Sequence, residues 1–358
     1  MEPFRIHVPD EALDDLRARL HRTRWPDQIP GIGWQQGTEL DWLRRLVSYW
    51  AHEFDWRAWE GRLNTLNQFT WEGIHFVHQR AASGRGIPLI LTHGWPGSFL
   101  DYIDMLPMLE QFDVIVPSLP GYGFSPRPPR EGINYRYVAG RWLRLMSELG
   151  YSRFAAGGYD FGAGVTTILA LDRPQPVIGI HLTTLESDLA PVVDDAELSD
   201  EERTYLAVNR TWDATERGYS AIQSTKPQTV GYGLNDSPAG LAAYLGEKWR
   251  SWSGVTPSND HLCATLTLYW VTQTIASSMR DYWDNRWHPV HPAYVNTPTA
   301  FGVFAHQTVP EGQPPRSYLE RLYNIQRWTV FPRGGHFAPA EEPAAVAGDL
   351  AAFFGGLS

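Results

Sequence analysis

Residues 157–164 read GGYDFGAG and lie between two apolar runs. At their centre is Gly158-Tyr159-Asp160-Phe161-Gly162, a Gly-x-Asp-x-Gly pentapeptide. A sharp strand-to-helix turn that lifts a nucleophile above a sheet has this spacing, usually with serine in the middle. The small residues 158, 162, 163 and 164 would let the chain turn tightly and let strand and helix approach. The plainer alternative is an ordinary strand-to-helix turn with Asp160 as the helix N-cap. The stretch alone leaves both open, so its surroundings decide.

Buried-strand runs, each ended by turn chemistry, flank it: IPLILTHGWPGS, FDVIVPSLPGYGFS, RFAAGGYDFG and VIGIHLTTL. The helical pattern YVAGRWLRLMSELG separates the second from the third, and this alternation predicts a parallel sheet covered by helices. Before it, residues 1–65 are helical and amphipathic, followed by strand candidates at LNQFTWEG and IHFVHQRA. After it, aromatic-rich helical segments occupy about 190–290, strands resume at TPTAFGVFA and RWTVFP, and the helix PAAVAGDLAAFFGGL ends the chain. A helical block inserted before the last two strands of a parallel sheet outlines an α/β-hydrolase fold with a lid. The expected division is an N-terminal wrapping segment over 1–85, core over 86–190, lid over 191–293 and the rest of the core over 294–358.

The chain has 358 residues, 43% of them apolar and 20% charged, which suffices for a large core and gives no sign of disorder. A formal net charge of −10 without a basic run argues against nucleic acid or anionic membrane as partner. The single cysteine, Cys263, excludes an intramolecular disulfide framework and reads as a buried apolar residue. No secretory signal and no run near the roughly 18 apolar residues of a membrane span are visible, so a soluble, cytoplasmic protein is expected. The 16 tryptophans lack any period; most are expected in the core, a few around a ligand pocket.

Two further stretches carry chemistry. HGWPGS (93–98) follows an apolar strand and resembles the α/β-hydrolase loop whose backbone N–H helps form an oxyanion hole. The donors would be the N–H groups of Trp95 and of Phe161, with His93 a structural hydrogen-bonder. PRGGHFAPAEEP (332–343) places His336 in a glycine-flanked loop after the last strand, matching the chain order nucleophile, acid, histidine. The histidines of HPVHP (288–292) are broken by proline and offer no helical metal face, so no metal is expected.

These stretches, with HEFDWRAWEGRLNTLNQFTWEGIHFVHQR, PSLPGYGFS and GYSAIQSTKPQTVGYGLNDSPAGLAAYLGEKW, resemble the epoxide hydrolases of the microsomal and juvenile-hormone type in a soluble bacterial form. The likeness covers nearly the whole chain. It implies Asp160 as nucleophile, His336 as base, and Tyr219 and Tyr282 as lid tyrosines that hold the epoxide oxygen. It also implies a small hydrophobic or aromatic epoxide as substrate, no cofactor, and a role in detoxification or natural-product biosynthesis. A monomer and a homodimer both remain open. A carboxylate suits this chemistry, because attack on an epoxide carbon gives an alkyl ester that water can cleave, whereas a serine would give a stable ether.

One position departs from the family pattern. Where the strand carrying the triad acid ends, the family has phenylalanine followed three residues later by Glu or Asp; FAHQTVPEGQPPR puts Gln307 there. An amide can orient an imidazole but cannot balance imidazolium charge. Two carboxylates could stand in, Glu186 in LTTLESD and Glu311 after Gln307. Glu186 could equally be a solvated residue at the lid hinge. The alternative is that His336 serves poorly as a hydrolytic base, leaving an epoxide-opening cyclase or a silent binder.

Overall fold

A computed structural model describes residues 1–291 and 293–357. Pro292, the last residue of the HPVHP stretch, lies outside the described residues. The strands are β1 (Glu2–Pro3), β2 (Gln68–Trp71), β3 (Ile74–Gln79), β4 (Ile87–Thr92), β5 (Phe112–Pro117), β6 (Phe154–Gly158), β7 (Val177–Leu182), β8 (Val295–Phe304) and β9 (Tyr323–Phe331). They form one sheet in the order β1-β2-β3-β5-β4-β6-β7-β8-β9.

From β5 to β9 every pairing is parallel, and the central strands β4, β5 and β7 are rich in Val, Ile and Leu, as expected where both faces of a sheet are covered. β5 is buried along its whole length. The first three strands are antiparallel additions. The β2–β3 hairpin turns on Glu72 and Gly73, both with positive φ (46° and 82°), the conformation that matches the twist of paired strands. β3 then pairs antiparallel with β5 and joins the N-terminal segment to the core sheet. The two-residue β1 had no signature in the sequence.

The chain leaves β4 toward β5 on one side and returns to β6 on the other. Loops diverge at such a reversal, which leaves a crevice beyond the carboxyl ends of the strands. HGWPGS follows β4 and Asp160 follows β6, so both stand at that crevice.

Among the described residues, six α-helices between β7 and β8 roof it: Asp200–Glu216, Gly218–Gln223, Pro227–Asp236, Pro238–Trp252, Asn259–Thr272 and Ile275–Trp287. Ser199 and Glu202 form a capping box at the first, and proline begins the third and fourth. The N-terminal helices Asp10–His21 and Leu40–His52 pack against this roof rather than against the sheet alone. Trp50 Nε1 donates to Thr267 Oγ1 at 2.8 Å, Thr38 Oγ1 to the Ala243 carbonyl at 2.7 Å, and Tyr49 Oη to Asp260 at 2.8 Å. The N-terminal helices therefore brace the helical roof, while β1, β2 and β3 extend the sheet. Among the described residues no helix is long and apolar enough to cross a membrane. Cys263 is buried, and burial pushes its thiol up.

Candidate active site

Asp160 sits between the end of β6 and the helix Phe161–Asp172, with φ 52° and ψ −134°. Few non-glycine residues hold a positive φ, and with ψ −134° the residue lies outside the left-handed helical region that aspartate tolerates, so its surroundings must hold it. The turn is pinned from outside: Asp160 N–H donates to Thr184 Oγ1 at 2.7 Å. It also needs close backbone approach, since a Cβ on Gly162 would lie 2.0 Å from the Thr92 carbonyl oxygen. Backbone cannot yield as a side chain can, so Gly162→Ala is expected to destabilise the fold by about 3 kcal/mol or more. Denaturant unfolding checks this, and a variant of wild-type stability would contradict it.

The carboxylate is held by both oxygens. Oδ1 accepts from Trp95 N–H at 2.8 Å and from Phe161 N–H at 2.7 Å, while Oδ2 lies 3.1 Å from His336 Nε2. Asp160, the two amides and His336 therefore meet at one point. His93 is elsewhere engaged: Nε2 accepts from Leu119 N–H at 3.2 Å and Nδ1 faces the Gly94 carbonyl. Burial lowers its pKa to about 4, so it is a neutral structural group.

The loop carrying His336 is clamped by the lid. His336 N–H donates to the Trp252 carbonyl at 2.9 Å, and the indole of Trp252 lies edge-on to the imidazole at 5.0 Å. Phe337 stacks on Trp249 at 3.7 Å. Glu341 accepts from Phe337 N–H at 3.0 Å and from Val255 N–H at 2.7 Å, tying the loop to the end of the helix Pro238–Trp252. These partners were absent from the sequence reading; only their spacing in space, not in the chain, marks them.

Tyr219 and Tyr282 come from the helices Gly218–Gln223 and Ile275–Trp287, and both line the cavity above Asp160. Their rings are 5.8 Å apart at 83° and share one neighbour, Trp95, which stacks on Tyr219 and meets Tyr282 edge-on. Burial drives both phenols well above the ordinary tyrosine value, so both remain hydrogen-bond donors.

The cavity encloses about 310 Å³. Phe161, Trp252 and Val309 supply apolar wall, while Glu186, Asp188, Ser220, Ser224 and Arg286 supply polar wall. Its surface is thus more polar than a purely hydrophobic ligand needs.

The expected acid positions separate. No hydrogen bond joins Gln307 to His336, and the Gln307 side-chain oxygen is buried without a partner. β8 ends at Phe304, and Gln307 N–H turns back onto the Phe304 carbonyl at 3.0 Å. Its side chain packs on Gly312 and lines an outer groove with Thr308, Pro310 and Gln313. The short helical turn Pro310–Gly312 then carries Glu311 into the cavity, fixed by Leu185 N–H donating to the Glu311 carbonyl at 2.7 Å. Glu311 Oε1 takes a hydrogen bond from Arg217, and its Oε2 is buried without a partner. His336 Nδ1 is likewise buried without a partner. Burial holds the Glu311 carboxyl above its ordinary value, with the nearby Arg217 guanidinium the largest opposing influence. Glu186 accepts instead from Tyr135 Oη at 2.8 Å, and burial, followed by the charges of Asp160 and Glu311, holds its carboxyl well up.

A mostly parallel sheet with a sharp aspartate-bearing turn, a histidine loop and a helical roof at its carboxyl edge defines an α/β-hydrolase. The family described as alpha/beta hydrolase fold matches residues 87–227, and the family described as epoxide hydrolase N terminus matches residues 1–102. Epoxide hydrolase 1 of Oryctolagus cuniculus is 33% identical, over 99% of this chain and 89% of its own. The solved structure of Aspergillus niger epoxide hydrolase superposes with a TM-score of 0.89 at 29% identity, covering 100% of this chain and 96% of that one. Juvenile hormone epoxide hydrolase from the silkworm Bombyx mori gives 0.88 at 29%, covering 99% and 94%. The chain belongs to the epoxide hydrolase family.

Proposed function

We propose that this protein hydrolyses an epoxide to a vicinal diol through an alkyl ester of Asp160. The observation that carries the reading is the division of the Asp160 carboxylate, with Oδ1 in the paired amides and Oδ2 beside His336. Oδ2 attacks an epoxide carbon, the carbon–oxygen bond breaks, and the departing alkoxide takes a proton from Tyr219 or Tyr282. His336 Nε2 then removes a proton from water, and the hydroxide adds to the Asp160 carboxyl carbon. Negative charge collects on Oδ1, where the Trp95 and Phe161 amides already point. Collapse expels the diol alkoxide, which takes the imidazolium proton, and the proton left on the Asp160 carboxyl returns to the tyrosinate, restoring both carboxylate and phenol. With a base seated on the ester-forming oxygen, water is favoured over an internal hydroxyl as the second nucleophile.

Glu311 is the group proposed to balance the imidazolium. Its Oε2 is buried without a partner; Gln307 Oε1 is also unpaired but carries no charge, Glu186 is engaged with Tyr135, and Glu341 spends both oxygens on backbone amides. Catalytic hydrogen bonds are often long before substrate binds. The cavity volume and its polar wall favour a compact epoxide bearing a polar substituent over a long hydrocarbon.

Diol formation from a panel of aryl and hydroxyalkyl epoxides tests the reading. Tyr219→Phe and Tyr282→Phe should each slow ester formation about 10- to 100-fold, and the double variant should nearly stop it. No diol from any member of the panel, or a double Phe variant at full rate, would contradict it.

A further inference from the structure

Lys248 is a buried cation that the proposed chemistry does not use. It lies in the helix Pro238–Trp252 with its side chain only 8% exposed. Lysines in such helices ordinarily bury the stem and carry the ammonium to water. Here Nζ turns inward, to 4.5 Å from the ring centroid of Tyr219 and 5.6 Å from that of Trp252. Its carboxylate neighbour is Glu247, the adjacent residue, with which it forms an ion pair. Burying an ammonium is costly, and one placed against two aromatic faces gains attraction from their electron density.

Tyr219 has a specific need for that charge. Its hydroxyl is buried in a site with two carboxylates, Glu311 and Asp160, both of which oppose any build-up of negative charge on it. Arg217 opposes them but is already engaged by Glu311 and Asp213. As the phenol donates to the leaving epoxide oxygen, negative charge shifts into its ring system, and a cation over the ring stabilises that state more than the resting one.

We propose that Lys248 is a positioning residue that acts through Tyr219: its ammonium over the ring strengthens the hydroxyl as donor to the epoxide oxygen. The inference rests on the reading that Tyr219 performs that donation. Lys248 touches neither substrate nor Asp160, so its influence falls on ester formation and not on ester cleavage.

The test is a double-mutant cycle on the two chemical steps, read by rapid-quench intact mass with styrene oxide. Lys248→Met should slow ester formation about tenfold, or about 1.4 kcal/mol. Ester cleavage should stay within twofold, and Lys248→Arg should recover most of the loss. In a Tyr219→Phe background, Lys248→Met should change ester formation by less than twofold. An equal loss in both backgrounds, or none in the wild-type background, would overturn the proposal. Lys248→Gln is the second neutral variant; if neither neutral variant folds while Lys248→Arg does, the lysine is a structural cation and the proposal fails. If Tyr219→Phe alone leaves ester formation unchanged, the role of Tyr219 has failed first, which separates the two readings.

Discussion

Asp160→Asn is expected to lower turnover by about 10⁴-fold or more, because an amide is a poor nucleophile. The substitution is close to isosteric. Its amide oxygen can still accept from the Trp95 and Phe161 amides, and its nitrogen can face His336 Nε2. Asparagine has aspartate's shape, so the same surroundings can hold it at the positive φ of the turn. The melting temperature should therefore change little while diol formation disappears. Mass analysis of the peptide containing residue 160 guards against deamidation back to aspartate. Full activity in a protein that still carries asparagine would end the covalent account.

Glu311→Gln is expected to slow cleavage of the ester by about 10²–10⁴-fold while leaving its formation largely intact. In a serine protease, changing the triad aspartate to its amide costs about 10⁴ in rate. Epoxide opening requires no imidazolium, but water activation creates one, so the loss should fall on the second step. An adduct of substrate mass should accumulate toward one per protein, as it should in His336→Gln, where the base itself is gone. Gln307→Glu should change little, because that side chain packs on Gly312 and makes no hydrogen bond to His336. Faster cleavage in Gln307→Glu, together with a neutral Glu311→Gln, would reverse the assignment. Glu311→Gln also leaves Arg217 without a carboxylate it now holds, so an intact rate of ester formation is the control that the cavity survives.

How legible each part was depends on how local its cause is. The turn at Asp160, the HGWPGS loop and the parallel strands follow from contiguous residues whose glycines and apolar runs permit little else. His336 followed from its order along the chain. The acid could not be read this way. Whether position 307 or 311 enters the cavity is decided by a chain reversal after Phe304 and a turn at Pro310, and a spacing rule counts residues without seeing either. Glu341, Thr184, Trp252 and Lys248 make contacts that span 24 to 86 positions of sequence, and nothing in their immediate flanks marks them. The tryptophans were readable only as a composition. Trp95 and Trp252 border the site, while Trp142 is wholly in the core. The expectation of a hydrophobic ligand came from resemblance, whereas the cavity wall owes its polarity to side chains gathered from the lid and the loop after β7.

A single turnover in ¹⁸O-water, with enzyme in excess over epoxide, tests the covalent route most directly. If the ester forms on Asp160 Oδ2 and water adds to the carboxyl carbon, the first diol takes its new oxygen from the aspartate and the water oxygen stays on the protein. The diol should then be unlabelled, and the peptide containing Asp160 should be heavier by one ¹⁸O-for-¹⁶O exchange. Label in the first diol with an unlabelled Asp160 would mean that water attacks the epoxide itself and that no ester forms.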